Sequence, residues 1–250
     1  MIYTHLLPPP PGTFASGDIA IVVDILRATS VMAAALHAGA EAIYPCLEID
    51  QAKALAKSLP GSLLCGERQG LMPDGFDLGN SPGDYTRDRC KGRPIVMTTT
   101  NGTRALMASA SADMVYTVSF GNVLTVFEAV KAAQGSIHLV CSGTDGQISW
   151  EDTLACGLLA NALSSEGHDA GNDATRIAIS LYENELWWLD IAAKGPQPAL
   201  VRVLKQGRGG RRVCEIGLEK DIIEVARLNH FDILTQLRPD PWRVVGMKED

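Results

Sequence analysis

Four times along the chain, an apolar run of strand length passes through a small polar loop into a helix pattern. The units are 19–24 (IAIVVD) with a helix over 29–40, and 93–100 (RPIVMTTT) with a helix over 103–110. They continue with 114–119 (MVYTVS) and a helix over 123–133, then 136–141 (SIHLVC) and a helix over 149–163. Strand and helix alternating at this spacing predict a three-layer α/β fold, a mostly parallel sheet covered by helices. Ligands in such sheets bind beyond the carboxyl ends of the strands. Function is therefore expected in the loops at 24–30, 98–104, 119–122 and 141–152.

Residues 66–85 break this rhythm, with five Gly and two Pro in 20 positions. A long loop without periodicity inside a compact domain is usually functional. The polar stretch 164–175 predicts a linker or surface excursion, the point where a chain otherwise expected as one unit over 1–250 would divide into lobes. Residues 176–250 read as a helix-rich C-terminal region ending in a strand near 233–237. Within it, GRGGRR (207–212) predicts a basic turn, either solvated or belonging to an anion site.

With 22 Lys+Arg against 29 Asp+Glu, the formal charge is −7, and no basic run marks a nucleic-acid or membrane binder. No apolar stretch approaches the roughly 20 residues of a membrane span. The N-terminus lacks a basic start followed by an apolar run, so a soluble, cytoplasmic protein is expected. Six scattered Cys without a CxxC pair predict buried, reduced thiols, and five dispersed His offer no zinc motif.

The second unit carries the clearest chemistry. Thr98, Thr99 and Thr100 end a strand, and Asn101, Gly102, Thr103 and Arg104 open a helix, whose unpaired N–H groups suit an anion. Arg104 near a helix start opposes the dipole unless an anion justifies it. Arg27 and Arg68 sit in other loop motifs and offer the same planar fork for phosphate or sulfonate oxygens. Asp24 ends the first strand, Glu67 and Asp77 lie in the long loop, and Glu151 and Asp152 open the fourth helix. Hard oxygen ligands gathered from several loops fit Mg²⁺. Each has a structural alternative: Asp24 can pair with Arg27, Asp77 can form an Asx turn, and Glu151 or Asp152 can complement a helix start capped by Ser149. P-loop, nucleophile-elbow and dinucleotide-binding patterns are absent.

Four motifs in order (DILRATS, CGERQGLMPDGFDLGNSP, TTTNGTRA and CSGTDGQISWED) resemble the 2-phosphosulfolactate phosphatase family over residues 19–163, and more weakly to about 237. The resemblance implies a homo-oligomeric α/β protein, expected as a homodimer. It also implies a Mg²⁺-dependent phosphatase that releases 3-sulfolactate and phosphate in coenzyme M biosynthesis. It places acidic motif residues at Asp24, Glu67, Asp77, Glu151 and Asp152. It places anion-binding residues at Arg27, Asn80, Ser81, Thr99, Thr100, Asn101, Gly102, Thr103 and Arg104. Asp24, Arg27 and Arg104 are expected to be catalytic, Arg68 and the Asn80–Ser81 and 99–103 residues to bind substrate, and Glu67, Asp77, Glu151 and Asp152 to hold metal. Another phospho-hydroxy acid as substrate, or a non-catalytic phosphoanion-binding protein, are the alternatives. Asp152 separates the readings: a cap tolerates Asn there, whereas a Mg²⁺ ligand does not.

Overall fold

The computed structural model describes residues 1–247. The elements run β1 (Ile2–His5), β2 (Ile19–Val23), α1 (Ala28–His37), β3 (Ala42–Cys46), α2 (Ile49–Ser58) and β4 (Leu63–Gly66). Next come α3 (Arg87–Cys90), β5 (Pro94–Thr98), α4 (Gly102–Ser109), β6 (Met114–Val118), α5 (Val123–Val130), β7 (Ile137–Cys141), α6 (Trp150–Ser165) and α7 (Asp173–Leu186). The chain continues through β8 (Gly195–Pro196), α8 (Pro198–Leu204), α9 (Arg208–Glu215), α10 (Glu219–Val225), β9 (Arg227–Leu228), β10 (Leu234–Pro239) and β11 (Trp242–Met247).

Nine strands form one sheet in the order β1-β7-β2-β6-β10-β11-β3-β5-β4. β1, β7, β2 and β6 are mutually parallel, as are β3, β5 and β4. The hairpin β10–β11 joins them through antiparallel pairings to β6 and β3. Three antiparallel steps leave the two parallel groups running in opposite senses. Helix α4 bridges them, since it follows β5 yet packs on β2 and β7 of the other group.

Strand β2 shows how the core divides. Ile19, Ile21 and Val23 join a cluster with Phe120, Leu139, Leu154 and Leu158, while Ala20 and Val22 join Met32, Ile43, Ile95 and Met97 on the other face. Side chains alternate along a strand, so a sheet covered on both faces needs an unbroken apolar run there. All five β2 residues are buried.

The 164–175 stretch joins α6, which reaches Ser165, to α7, which begins at Asp173. Its polar residues tie down β1: Asn172 Nδ2 donates to the Thr4 carbonyl (2.9 Å), and Thr175 Oγ1 accepts the Thr4 N–H (2.8 Å). GRGGRR falls in α9 rather than in a turn. The C-terminal third supplies the two central strands as well as helices.

At the edge of the sheet, His5 Nε2 and His138 Nδ1 share a hydrogen bond of 3.0 Å, and His138 Nε2 lies 3.1 Å from Asp18 Oδ2. Neutral rings satisfy both contacts, with each Nε2–H donating onward. Burial and the neighbouring His138 lower the His5 pKa to about 4. All six cysteines are free thiols, five of them buried. No helix among the described residues is long and apolar enough to cross a membrane.

Candidate active site

A cavity of about 610 Å³ opens where strand ends of the two groups meet. Asp24, Leu26 and Arg27 follow β2, Glu67 to Gly70 follow β4, and Thr99 to Asn101 follow β5. Asn80, Thr144 and Asp145 add to the wall, and α9 closes it with Arg208, Arg211 and Arg212.

Asp24 stands on the cavity side of the α1 start. Its Oδ1 accepts the Ala28 N–H at 3.0 Å, and its carbonyl accepts the Thr29 N–H at 3.0 Å, so it satisfies two otherwise orphaned donors at the start of α1. Burial raises its pKa to about 6 against that hydrogen bond, and the nearby Glu67 adds to the rise. Gly102 is required here for packing. A Cβ on it would lie 2.6 Å from Ala28 Cβ and 2.9 Å from Asp24 Oδ2. Gly102 thus admits Asp24 and α1 to the start of α4.

Glu67 Oε1 accepts the Thr100 N–H and hydroxyl, both at 2.9 Å, and Oε2 accepts the Gly70 N–H at 2.7 Å. Arg68 lines the cavity but is anchored, donating to the Leu47 carbonyl (2.5 Å) and to Thr98 Oγ1 (2.9 Å). Asn101 makes no side-chain capping bond at the start of α4, while Thr99 Oγ1 accepts the Thr103 N–H at 3.2 Å. Asn80 is 5% exposed, and its Oδ1 has no hydrogen-bond partner.

Arg27 is almost wholly buried. Its Nη1 pairs with Asp221 Oδ2 and lies 3.3 Å from Ser81 Oγ, which also donates to Asp221 at 2.9 Å. Its Nη2 donates to the Gly70 carbonyl at 2.5 Å. Asp221, on α10, thus fixes the cavity arginine. Nothing in its local sequence, an acidic position on an amphipathic helix, distinguishes it from a solvated residue.

The remaining expected residues lie outside the cavity wall. Arg104 is on the exposed face of α4. Its position at the helix start is right, but its side chain does not join the cavity lining. Asp77 is also exposed, and its Oδ2 accepts the Leu64 N–H at 2.8 Å, fastening the long loop to β4. Ser81 lies behind Arg27, and Thr103 behind Thr99.

Glu151 and Asp152 are buried struts. Asp152 Oδ1 accepts the Ile25 N–H (2.9 Å), and Oδ2 accepts the Ser142 hydroxyl and the Gly143 N–H (both 3.2 Å). Its own N–H donates to Ser149 Oγ at 3.2 Å, so the expected cap is present too. Burial, reinforced by the charge of Asp24, pushes the Asp152 carboxyl well up. Glu151 Oε1 accepts the Gly210 N–H at 2.6 Å, and Oε2 accepts from Ser149 Oγ at 3.1 Å. Protein donors thus reach both oxygens of each carboxylate. Both acids thus brace loop and helix starts in a buried place, outside the cavity lining.

Among the described residues, no three His, Cys, Asp or Glu side chains form a ready cation cage. The cavity does offer two carboxylates, Asp24 and Glu67, with the unsatisfied oxygen of Asn80. Such hard donors suit Mg²⁺, which takes one or two carboxylates and fills its other positions with water and substrate oxygens.

The family model for 2-phosphosulpholactate phosphatase matches residues 10–240. A probable 2-phosphosulfolactate phosphatase of Caldanaerobacter subterraneus subsp. tengcongensis is 35% identical over 220 residues, 87% of each chain. One from Symbiobacterium thermophilum is 33% identical over 228 residues, 90% of this chain and 93% of the relative. One from Thermotoga petrophila is 36% identical over 203 residues, covering 81% and 82%. The match runs through the loops that build the cavity from both halves of the sheet, and the chain belongs to the 2-phosphosulpholactate phosphatase family.

Proposed function

We propose that the chain is a Mg²⁺-dependent phosphatase that hydrolyses 2-phospho-3-sulfolactate to 3-sulfolactate and phosphate. The observation that carries this reading is the lining of one cavity: Asp24, Glu67 and Asn80, whose Oδ1 has no protein partner, together with Arg27 and the start of α4 at Asn101. Family membership supplies the reaction class and the substrate.

Asp24, Glu67 and Asn80 would hold the ion. Bound there, Mg²⁺ would offset phosphoryl charge as water adds to phosphorus and the ester bond breaks. Arg27 keeps donors beyond those used by Asp221 and Gly70, and these serve the phosphoryl oxygens. The first-turn N–H groups of α4 add a positive helix end. Asp221 and Gly70 hold Arg27 in place before substrate arrives, so orienting it costs little at the moment of reaction.

Phosphate release from 2-phosphosulfolactate is the test. Activity is expected with Mg²⁺, to be lost in EDTA, and to return on adding Mg²⁺. Activity that survives full chelation removes the metal from the proposal. No release from phosphosulfolactate, with release from other phosphorylated hydroxy acids, removes the substrate.

A further inference from the structure

The cavity is far larger than a phosphoryl group needs, and its lining comes from two kinds of element. Asp24 and Glu67 come from loops that follow strands, while α9 contributes Arg208, Arg211 and Arg212. These positions are three and four residues apart and therefore share one helix face. The same helix buries Gly209, Gly210 and Val213, and Gly207 precedes it. A Cβ on Gly207 would lie 2.2 Å from Glu151 Oε1, and one on Gly210 would lie 2.0 Å from the Leu204 carbonyl. The alternation in GRGGRR therefore docks the helix closely through its glycines and turns its arginines to the cavity.

The three arginines are not equally committed. Arg208 pairs with Asp145 at 3.0 Å, and both groups are largely exposed. Arg212 lies 3.7 Å from Glu215 and donates to the Gln69 carbonyl at 3.3 Å. Arg211 donates to the Gln206 carbonyl and forms no ion pair among the described residues. Exposed pairs of this kind exchange partners at little cost. Three guanidinium groups on a cavity wall, in a chain of net charge −7, match an anionic ligand group that lies beyond the phosphate.

We infer that the arginine face of α9 is the subsite for the substrate's second anion, the sulfonate or carboxylate on its carbon skeleton, with Arg211 as the main contact. This rests on the phosphatase reading and adds to it the element that sets specificity. The strand-end loops handle the group that is transferred, and α9 selects what carries it.

The test compares Arg211→Gln and Arg211→Gln/Arg212→Gln with the native protein on 2-phosphosulfolactate, 2-phospholactate and isopropyl phosphate. Arg202→Gln, an exposed position on α8 outside the cavity lining, is the control for charge loss. The preference in kcat/KM for phosphosulfolactate over isopropyl phosphate is expected to fall at least about 10-fold in the single variant, mainly through KM. It should fall further in the double variant and hold in Arg202→Gln. A loss confined to phosphosulfolactate assigns the sulfonate, and a loss shared with phospholactate assigns the carboxylate. Equal losses on all three substrates, or none, would overturn the subsite. If the native protein hydrolyses none of them, the phosphatase reading fails separately, and calorimetry with 3-sulfolactate then decides. Binding that is weakened at least about 10-fold by Arg211→Gln sustains the subsite, whereas unchanged binding, or none to the native protein, overturns it.

Discussion

Asp152 holds together two loops that come from different strands. Its carboxylate takes the Ile25 N–H after β2 and the Gly143 N–H after β7, in a place where water cannot replace it. Each buried donor left without a partner costs about 1–3 kcal/mol, so Asp152→Ala should lose about 2–4 kcal/mol in urea unfolding. Phosphate release should fall with it, because the Asp24 loop loses its anchor. If stability is unchanged, the strut role is wrong. Which residue types belong near the site was legible from the composition of the loops, and Asp24, Glu67, Arg27 and Asn101 all reach the cavity. Their division of labour was not. A buried brace such as Asp152 and a cavity-lining acid such as Glu67 look alike in sequence. Arg104 was placed correctly along the chain but not around the helix axis, a difference of a single position.

At the scale of elements, the tight seat of α9 against α6 and the end of α8 decides where three arginines point. Gly210→Ala gains about 1 kcal/mol of helix propensity in isolation. Its Cβ would nonetheless sit 2.0 Å from the Leu204 carbonyl, a backbone atom that cannot swing aside. Such overpacking costs about 1–3 kcal/mol or more, so a net loss in stability is expected, with a raised KM for phosphosulfolactate as α9 shifts. A stabilised variant with native kinetics would show that the seat is loose. The four strand–loop–helix units were readable because each strand is a continuous apolar run bounded by a polar turn. β1, β3 and β4 were harder to see: β1 and β4 are four residues long, and Pro45 interrupts β3. Helix α9 was hidden because its glycines, poor helix formers, are there for packing.

Across the whole molecule, the edge strand β1 is held through His5, His138 and Asp18. The His5 pKa lies near 4 in the fold and near 6.5 in an unfolded chain. Between those values the unfolded chain binds the extra proton, so this pair contributes stability above pH 6.5 that is lost as pH falls towards 4. His5→Gln keeps an N–H donor for His138 but cannot titrate. Its urea midpoint should therefore decline less than that of the native protein between about pH 7 and about pH 5, and equal declines would assign the effect elsewhere. Strand pairing across the sheet was least open to sequence reading. A strand near 233–237 was visible, but not that it would lie between two parallel groups, since the pattern of one strand does not name its neighbours. That insertion has a consequence for synthesis. As the ribosome delivers the chain, both parallel groups emerge before the hairpin that joins them, and the polypeptide must be made as far as Met247 before β11 can pair fully with β10. Nascent chains thus present two unsealed sheet edges, at β6 and β3, to chaperones and proteases until the hairpin arrives.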